Sequence, residues 1–281
     1  MDGLGMPVRD PGLEEEPLSN PAEAYERFIV QNVFVPWTAD LIERARPQIG
    51  ERVLDLACGT GIVTRSVAPL VGSEGKVTAL DISPEMLEVA RAVSSPDGIT
   101  IEWHQGSGTE MPFQDESFDL VLCQQGFQFF DDHAAGMSEI RRVLGPGGRA
   151  FVSVWSGLAH TPFMKALDEV ISTHLAESTV GRAFALSDAV LFERLAQDGG
   201  FERIEVEEVG LTVHAREPET FISMMVQSGV LMSPELSERT EEERRSLIEK
   251  SQSDMVDASQ PFIHGDVLEL DTVANILSAG R

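Results

Sequence analysis

The stretch VLDLACGTGIVTR, Val53 to Arg65, decides how this chain folds. Val53, Leu54 and Leu56 surround one acid, Asp55, in a short apolar run of the kind that makes a buried strand. Gly59 and Gly61 then form a tight turn, and a helical pattern follows. Such a turn lets the backbone approach a ligand closely and aims free N–H groups at it, as many nucleotide sites do. The dinucleotide fingerprint G-x-G-x-x-G asks for a third glycine, but the residue three past Gly61 is Thr64. NAD and FAD are therefore disfavoured, and with them a nicotinamide-dependent oxidoreductase.

A second acid points to a nucleoside of another kind. The run VTALDISPEMLEVA puts Asp81 at the end of the next strand, where a carboxylate can accept hydrogen bonds from both ribose hydroxyls. Ser83-Pro84 already supplies an N-cap and a first-turn proline for the following helix, so capping does not require Asp81.

Outward from these runs, β-rich stretches alternate with amphipathic helices. Strands are expected at 52–57, 76–80, 99–104, 118–123 and 149–155, with helices at about 61–70, 84–94, 132–144 and 161–177. Gly145-Pro146-Gly147-Gly148 stops the fourth of these helices. Helices of this length between strands imply βαβ units, hence an α/β, doubly wound, mostly parallel sheet. Residues 1–20 read as an acidic, mobile N-terminus and 21–48 as cap helices broken near Pro36. Ser187 opens a further helix. FERIEVEEVGLTVHA and VLELDTVANILSAGR read as two long strands, an antiparallel edge hairpin whose turn is replaced by a helical lid at 216–262. The α/β core is then 49–215 together with 263–281.

The motifs D-x-A-C-G-T-G, ALDISPEML, MPFQDESFDLVLCQQGFQFF and RRVLGPGGR stand in this order between about residues 50 and 155. In this the chain resembles the class I S-adenosylmethionine-dependent methyltransferase family, and more loosely its ubiquinone/menaquinone-methylase-like small-molecule group. The resemblance implies a seven-stranded Rossmann-like sheet and S-adenosyl-L-methionine as cofactor, with S-adenosyl-L-homocysteine as product. It also implies that Asp55 orients the glycine loop and the cofactor's amino group. Ala57, Cys58, Gly59 and Gly61 would lie against the methionine and ribose part. Asp81 would bind the ribose, and Ile82 and Met86 would pack on the adenine. Gly106, Ser107 and Gly108 would flank the adenine edge, and Gln124 would stand near the methionine amino group. Ala57 occupies a position where the family usually has glycine, a substitution that costs little if its φ is negative. Ser107 stands where an aspartate commonly meets the adenine amino group, and gives a weaker contact.

The sulfonium of that cofactor is already an electrophile, so alignment and exclusion of water matter more than a catalytic triad. His160, in the loop after the fifth strand, is the candidate base if the acceptor must lose a proton. Tyr25, Phe127 and Gln128 are candidates for the acceptor pocket, with Met224 and Met225 of the lid and Trp37 beside them. His174, on an apolar helix face, reads as a core residue.

Charge bounds the partners. The formal net charge is -26, and only Lys76, Lys165 and Lys250 of 21 basic residues are lysine. A nucleic-acid backbone must be met by clustered Lys and Arg, so nucleic acid is not expected, nor an anionic membrane. Such an acid excess suits a high-salt cytoplasm, where screening removes the repulsion. Two cysteines, Cys58 and Cys123, give no disulfide framework and fit no metal spacing, in keeping with a cytoplasmic location. The expected partner is a small-molecule methyl acceptor, and the expected state a monomer or homodimer. A non-catalytic nucleoside-binding scaffold is the alternative that the glycine loop leaves open.

Overall fold

The computed structural model describes residues 21–93, 99–175, 180–231, 233, 235–236 and 239–281. The expected mobile N-terminus at 1–20 lies outside them. In chain order the elements are α1 (Pro21–Ala24), a π-helical stretch Tyr25–Phe34, and α2 (Val35–Ala45). Then come β1 (Arg52–Leu56), α3 (Ile62–Val71), β2 (Lys76–Asp81), α4 (Pro84–Val93), β3 (Ile101–Gln105) and β4 (Phe118–Gln124). These are followed by α5 (His133–Val143), β5 (Leu144–Trp155), α6 (Pro162–Ser172), α7 (Ala189–Asp198) and β6 (Arg203–Arg216). Last are α8 (Pro218–Leu231), α9 (Glu241–Ser259), β7 (Ile263–His264) and β8 (Val267–Gly280).

The strands form one sheet in the order β3-β2-β1-β4-β5-β8-β6, with the two-residue β7 pairing on β8. β1 to β5 run parallel, and β8 lies antiparallel between β5 and β6. This is the doubly wound architecture read from the sequence. The chain order reverses between β1 and β4, which puts a ligand crevice at the carboxyl ends of those two strands. On one face, α2 and α3 cover Val53, Val77, Leu120 and Leu122. On the other, α5 and α7 cover Leu54, Val121, Cys123 and Leu277. Parallel strands buried on both faces are apolar at successive positions, as Val53-Leu54 and Val121-Leu122 are.

Local chemistry explains where elements start. The Ser83 hydroxyl accepts from the Met86 N–H at 3.2 Å and caps α4 as expected. The cap of α7 is Asp188, one residue later than the sequence suggested; its carboxylate accepts from the N–H groups of Val190 and Leu191. β5 begins at Leu144 rather than 149, because Leu144 pairs with Phe118 across a bulge. α6 stops at Ser172, five residues short of the expected end. At Pro36 the chain bends its register rather than breaking. The Val35 N–H reaches the Val30 carbonyl five residues back, and α2 then starts with Pro36 in its first turn, where the missing N–H costs least.

A third apolar cluster joins the N-terminal helices to the far end of the β6–β8 hairpin. Val33 and Trp37 pack there with Phe163, Phe221, Val226 and Leu270. Trp37 is fully buried, meets the Trp155 ring edge-on at 5.6 Å, and donates its Nε1–H to the Thr272 hydroxyl at 3.1 Å. Burying such a side chain contributes about 2–3 kcal/mol. Trp37 is therefore a packing residue that fixes α2 on β8, and not part of a ligand surface.

Candidate functional site

Asp55, the next-to-last residue of β1, is 1% exposed. One carboxylate oxygen accepts from both the Thr64 N–H at 2.8 Å and the Thr64 hydroxyl at 2.5 Å. The strand end is thereby tied to the first turn of α3, and the glycine loop between them is held. Burial pushes the Asp55 carboxyl up to about 7, against the pull of the two Thr64 hydrogen bonds. Gly61 has a φ of +82°, and a Cβ there would come within 2.6 Å of the Trp103 ring. Only glycine satisfies both conditions.

Asp81 closes the loop from the next strand. Oδ2 accepts from the Gly59 N–H at 2.7 Å and Oδ1 from the Ser83 N–H at 2.9 Å. A carboxylate has about four lone-pair sites, so roughly two remain for a ligand. Burial raises the Asp81 carboxyl above its ordinary value, and the backbone N–H groups of Ser83 and Gly59 oppose that shift. Ile82, next in the chain, is 71% exposed, and Met86 is half-buried. The Gly106 N–H donates to the Asp81 carbonyl at 2.9 Å. Ser107 is engaged in its own turn, sharing a hydrogen bond with the Thr109 hydroxyl at 2.7 Å and accepting from the Thr109 N–H. Gly108 lies against the Phe130 ring.

One expectation fails here. Ala57 has a φ of +55°, so the condition under which alanine costs little is not met. A left-handed alanine costs about 1–2 kcal/mol, held by the surrounding loop.

Two adjoining clefts open at this edge. The first, about 320 Å³, is lined by Tyr25, Phe34, Asp55, Cys58, Thr60 and Gln124 among others. Tyr25 stands over the glycine loop, its Cε1 4.0 Å from where a Cβ on Gly59 would be. Burial first, then the negative charges of Asp81 and Glu26, push its hydroxyl well above the usual tyrosine range. Gln124 donates to the Phe34 carbonyl at 3.3 Å, while its Oε1 is buried without a partner among the described residues, as is the Thr60 hydroxyl. The second cleft, about 520 Å³, is lined by Trp155, Phe163, Phe184, Phe221 and Met225. Phe34 lines both.

Tyr25 and Met225 thus sit in clefts, whereas the other acceptor-pocket candidates do not. Phe127 is fully buried in the core under α5 and α7, with its ring against Phe130 and Phe192. Gln128 is buried and donates to the Gln125 carbonyl. The Gln124–Phe130 run turns away from the clefts after Gln124, because Phe127 follows Cys123 onto the opposite face of the sheet. His160 lines neither cleft. It is exposed, with Nδ1 3.2 Å from the Ser156 hydroxyl, which in turn donates to Glu208 at 2.8 Å. His174, in the turn just past α6, is half-buried and pairs with Asp254 of α9 at 2.7 Å, so it ties that turn to α9 at the surface instead of filling the core. Cys58 and Cys123 are buried thiols, both pushed up by burial. Residues that sequence reasoning passed over include Phe34, Thr60, Trp155 and Thr161. Of these, Thr60 stands inside the D-x-A-C-G-T-G motif and Thr161 in the Thr-Pro pair that opens α6, whereas Phe34 and Trp155 carry no local signal.

Residues 53–148 match the family described as "Methyltransferase domain". The demethylmenaquinone methyltransferase of Lactococcus lactis is 33% identical over 190 residues, 62% of this chain and 75% of that protein. The demethylmenaquinone methyltransferase of Chlorobaculum parvum is 42% identical over 135 residues, 47% of this chain and 53% of that protein. The chain thus spans about half the length of one curated relative and three quarters of the other. Among solved structures, Haemonchus contortus phosphoethanolamine N-methyltransferase 2, in complex with phosphomonomethylethanolamine and S-adenosylhomocysteine, superposes with a TM-score of 0.56 at 23% identity. That match covers 92% of this chain and 56% of the other, and speaks to the fold alone.

Proposed function

From the premise that this chain belongs to the class I S-adenosylmethionine-dependent methyltransferase family, in its ubiquinone/menaquinone-methylase-like group, we propose that it methylates an uncharged, apolar ring compound. When bound, S-adenosylmethionine supplies a methyl group on a sulfonium and leaves as S-adenosylhomocysteine.

The residues of the first cleft, with those at the end of β2 beside its glycine loop, fit that cofactor. The two free lone pairs of Asp81 suit two ribose hydroxyls, and exposed Ile82 with Met86 offers the adenine an apolar bed. Buried Gln124 Oε1, orphaned in the cleft, and the Asp55 carboxylate behind it suit an ammonium group. Tyr25 and Phe34 screen this region from solvent on the side of the π-helical stretch. With Ser107 spent on Thr109, the adenine edge depends on backbone groups near Gly106 and Gly108. We read 21–48 and 216–262 as the segments that cap the two clefts. Two free, buried cysteines favour a cytoplasmic setting.

The acceptor class rests on one observation. The second cleft shares Phe34 with the first, and among the described residues no Asp, Glu, Lys, Arg or His lines it. A phosphate- or ammonium-bearing acceptor would lose its hydration there without compensation. An apolar ring would recover its transfer free energy against Trp155 and the phenylalanines. Demethylmenaquinone, for which the relatives are named, is of this type.

The test is a labelled-methyl assay with reduced naphthoquinones and phosphoethanolamine as alternative acceptors, preceded by calorimetric titration with S-adenosylmethionine and S-adenosylhomocysteine. Micromolar cofactor binding lost in Asp81→Ala, with label only in the ring acceptor, is the expected result. Label in phosphoethanolamine alone would overturn the acceptor class. No binding by folded protein would favour the scaffold reading.

A further inference from the structure

We propose that Thr161 and the first turn of α6 form a subsite for a ring oxygen of the methyl acceptor, a phenolic or enolic hydroxyl or its anion. The inference rests on the reading that the second cleft receives the acceptor, and it assigns that acceptor's polar anchor.

Thr161 is 1% exposed and lines the second cleft. It stands at the N-cap of an eleven-residue helix, where a threonine hydroxyl ordinarily accepts from the second or third N–H of the helix. Here it does not. The side chain makes no capping hydrogen bond, and Oγ1 is buried without a partner among the described residues. A buried hydroxyl left unpaired carries an uncompensated desolvation cost, which a ligand oxygen would remove.

The backbone around it is open in the same direction. Pro162 has no N–H to offer, and the first helical bond is from the Lys165 N–H to the Thr161 carbonyl at 3.0 Å. The N–H groups of Phe163 and Met164 have no acceptor within the helix, by position. Both of these residues line the cleft too. The positive end of the helix dipole and an unused hydroxyl therefore meet at one wall of an otherwise apolar space.

The other hydroxyl on that wall is already committed. Thr272 donates to the Leu211 carbonyl at 2.7 Å and accepts from Trp37 at 3.1 Å. Among the lining residues Thr161 thus carries the uncommitted hydroxyl, and it gives the cleft a means of fixing which ring position faces the methyl donor. An oxygen at Thr161 sets the ring's rotation, and apolar walls alone would not.

The experiment compares 2-naphthol with naphthalene by equilibrium dialysis against the 281-residue protein saturated with S-adenosylhomocysteine. Wild type is expected to bind 2-naphthol at least about tenfold tighter than naphthalene. Thr161→Val should lose that preference by about tenfold while binding naphthalene and S-adenosylhomocysteine as before, and Thr161→Ser should keep it. Because the hydroxyl bonds to none of the described residues, the valine variant should melt no lower than wild type; Thr161→Ala replaces it should valine fail to fold. Equal affinity for the two probes in wild type, or a preference that survives in the valine variant, would overturn the subsite and leave the cleft reading intact. If neither probe binds a protein that does bind S-adenosylhomocysteine, the second cleft is not the acceptor site and both readings fall.

Discussion

A side chain at Gly126 would place its Cβ 2.5 Å from the methyl carbon of Ala57. The two residues stand at the ends of neighbouring strands, β1 and β4, and the methyl on one demands a hydrogen on the other. Gly126 itself has an ordinary φ of −110°, so its glycine is required by space and not by backbone angle. Ala57, at φ +55°, is the strained partner.

Ala57→Gly should therefore stabilise the protein by about 1 kcal/mol, the left-handed strain removed less the added entropy of the unfolded chain. Gly126→Ala alone should cost about 2 kcal/mol or more through overpacking. In the Ala57→Gly background that cost should largely vanish, since the next neighbours, the Ala57 carbonyl at 3.4 Å and Cys123 Sγ at 3.6 Å, leave room. A double-mutant cycle by urea denaturation measures the coupling. Additive effects would show that the loop relaxes around the new methyl.

Asp55 gives stability a distinctive pH slope. Its folded carboxyl titrates at about 7, above the ordinary aspartate value near 4, so between those limits the native state holds a proton that the unfolded chain has lost. The contribution from this group must fall as pH rises through that window, by at most about 1.4 kcal/mol per pH unit, and level off above pH 7. Urea midpoints at pH 5, 6 and 8 should show wild type losing stability relative to Asp55→Asn across the window. Parallel profiles for the two proteins would mean that Asp55 is ionised throughout.

The sheet was legible because its causes are local. Val53-Leu54 and Val121-Leu122 are apolar at successive positions as buried parallel strands require, and Ser83-Pro84 marks a helix start by chemistry alone. Glycine-loop and Asp81 geometry likewise follows from a few consecutive residues. What stayed hidden depends on faces brought together across the chain. Phe127 resembles a pocket wall until Phe192 of α7 is packed against it. Phe34 becomes a shared wall of two clefts only when the N-terminal helix lies over Gln124, some 90 residues away. The φ of Ala57 is imposed by the loop closure between Asp55 and Asp81, which no local pattern reports.

The exposed loop position of His160 limits what that residue can contribute. It contacts Ser156 and Glu208 at the surface and lines neither cleft. His160→Ala should leave kcat within about threefold of wild type and the pH profile unshifted, since an exposed pair of this kind is worth only about 0.2–1 kcal/mol. A loss of a hundredfold or more, with a basic limb gone from the kcat profile, would restore the histidine as general base.

Arg65 joins the cofactor loop to the helix above it. Its guanidinium donates to Glu26 at 2.7 Å and also to the Thr60 carbonyl, with side chains only 17% and 12% exposed. Among the described residues Glu26 Oε2 has no partner and Oε1 otherwise accepts only from the Gln31 amide at 3.2 Å, so the charge of the glutamate depends on Arg65 for compensation. Removing the arginine alone strands a mostly buried carboxylate, an effect of about 3 kcal/mol concentrated where Tyr25 and Phe34 cover the first cleft. Arg65→Met should thus speed amide exchange across Tyr25–Phe34 by about a hundredfold while leaving β1 and β4 protected, and weaken S-adenosylhomocysteine binding. Adding Glu26→Gln should restore much of the protection, because no charge is then left unpaired. Uniformly faster exchange through the sheet would mean that the pair supports the whole fold. No change at all would mean that Trp37 and the apolar contacts of α2 hold the segment in place unaided.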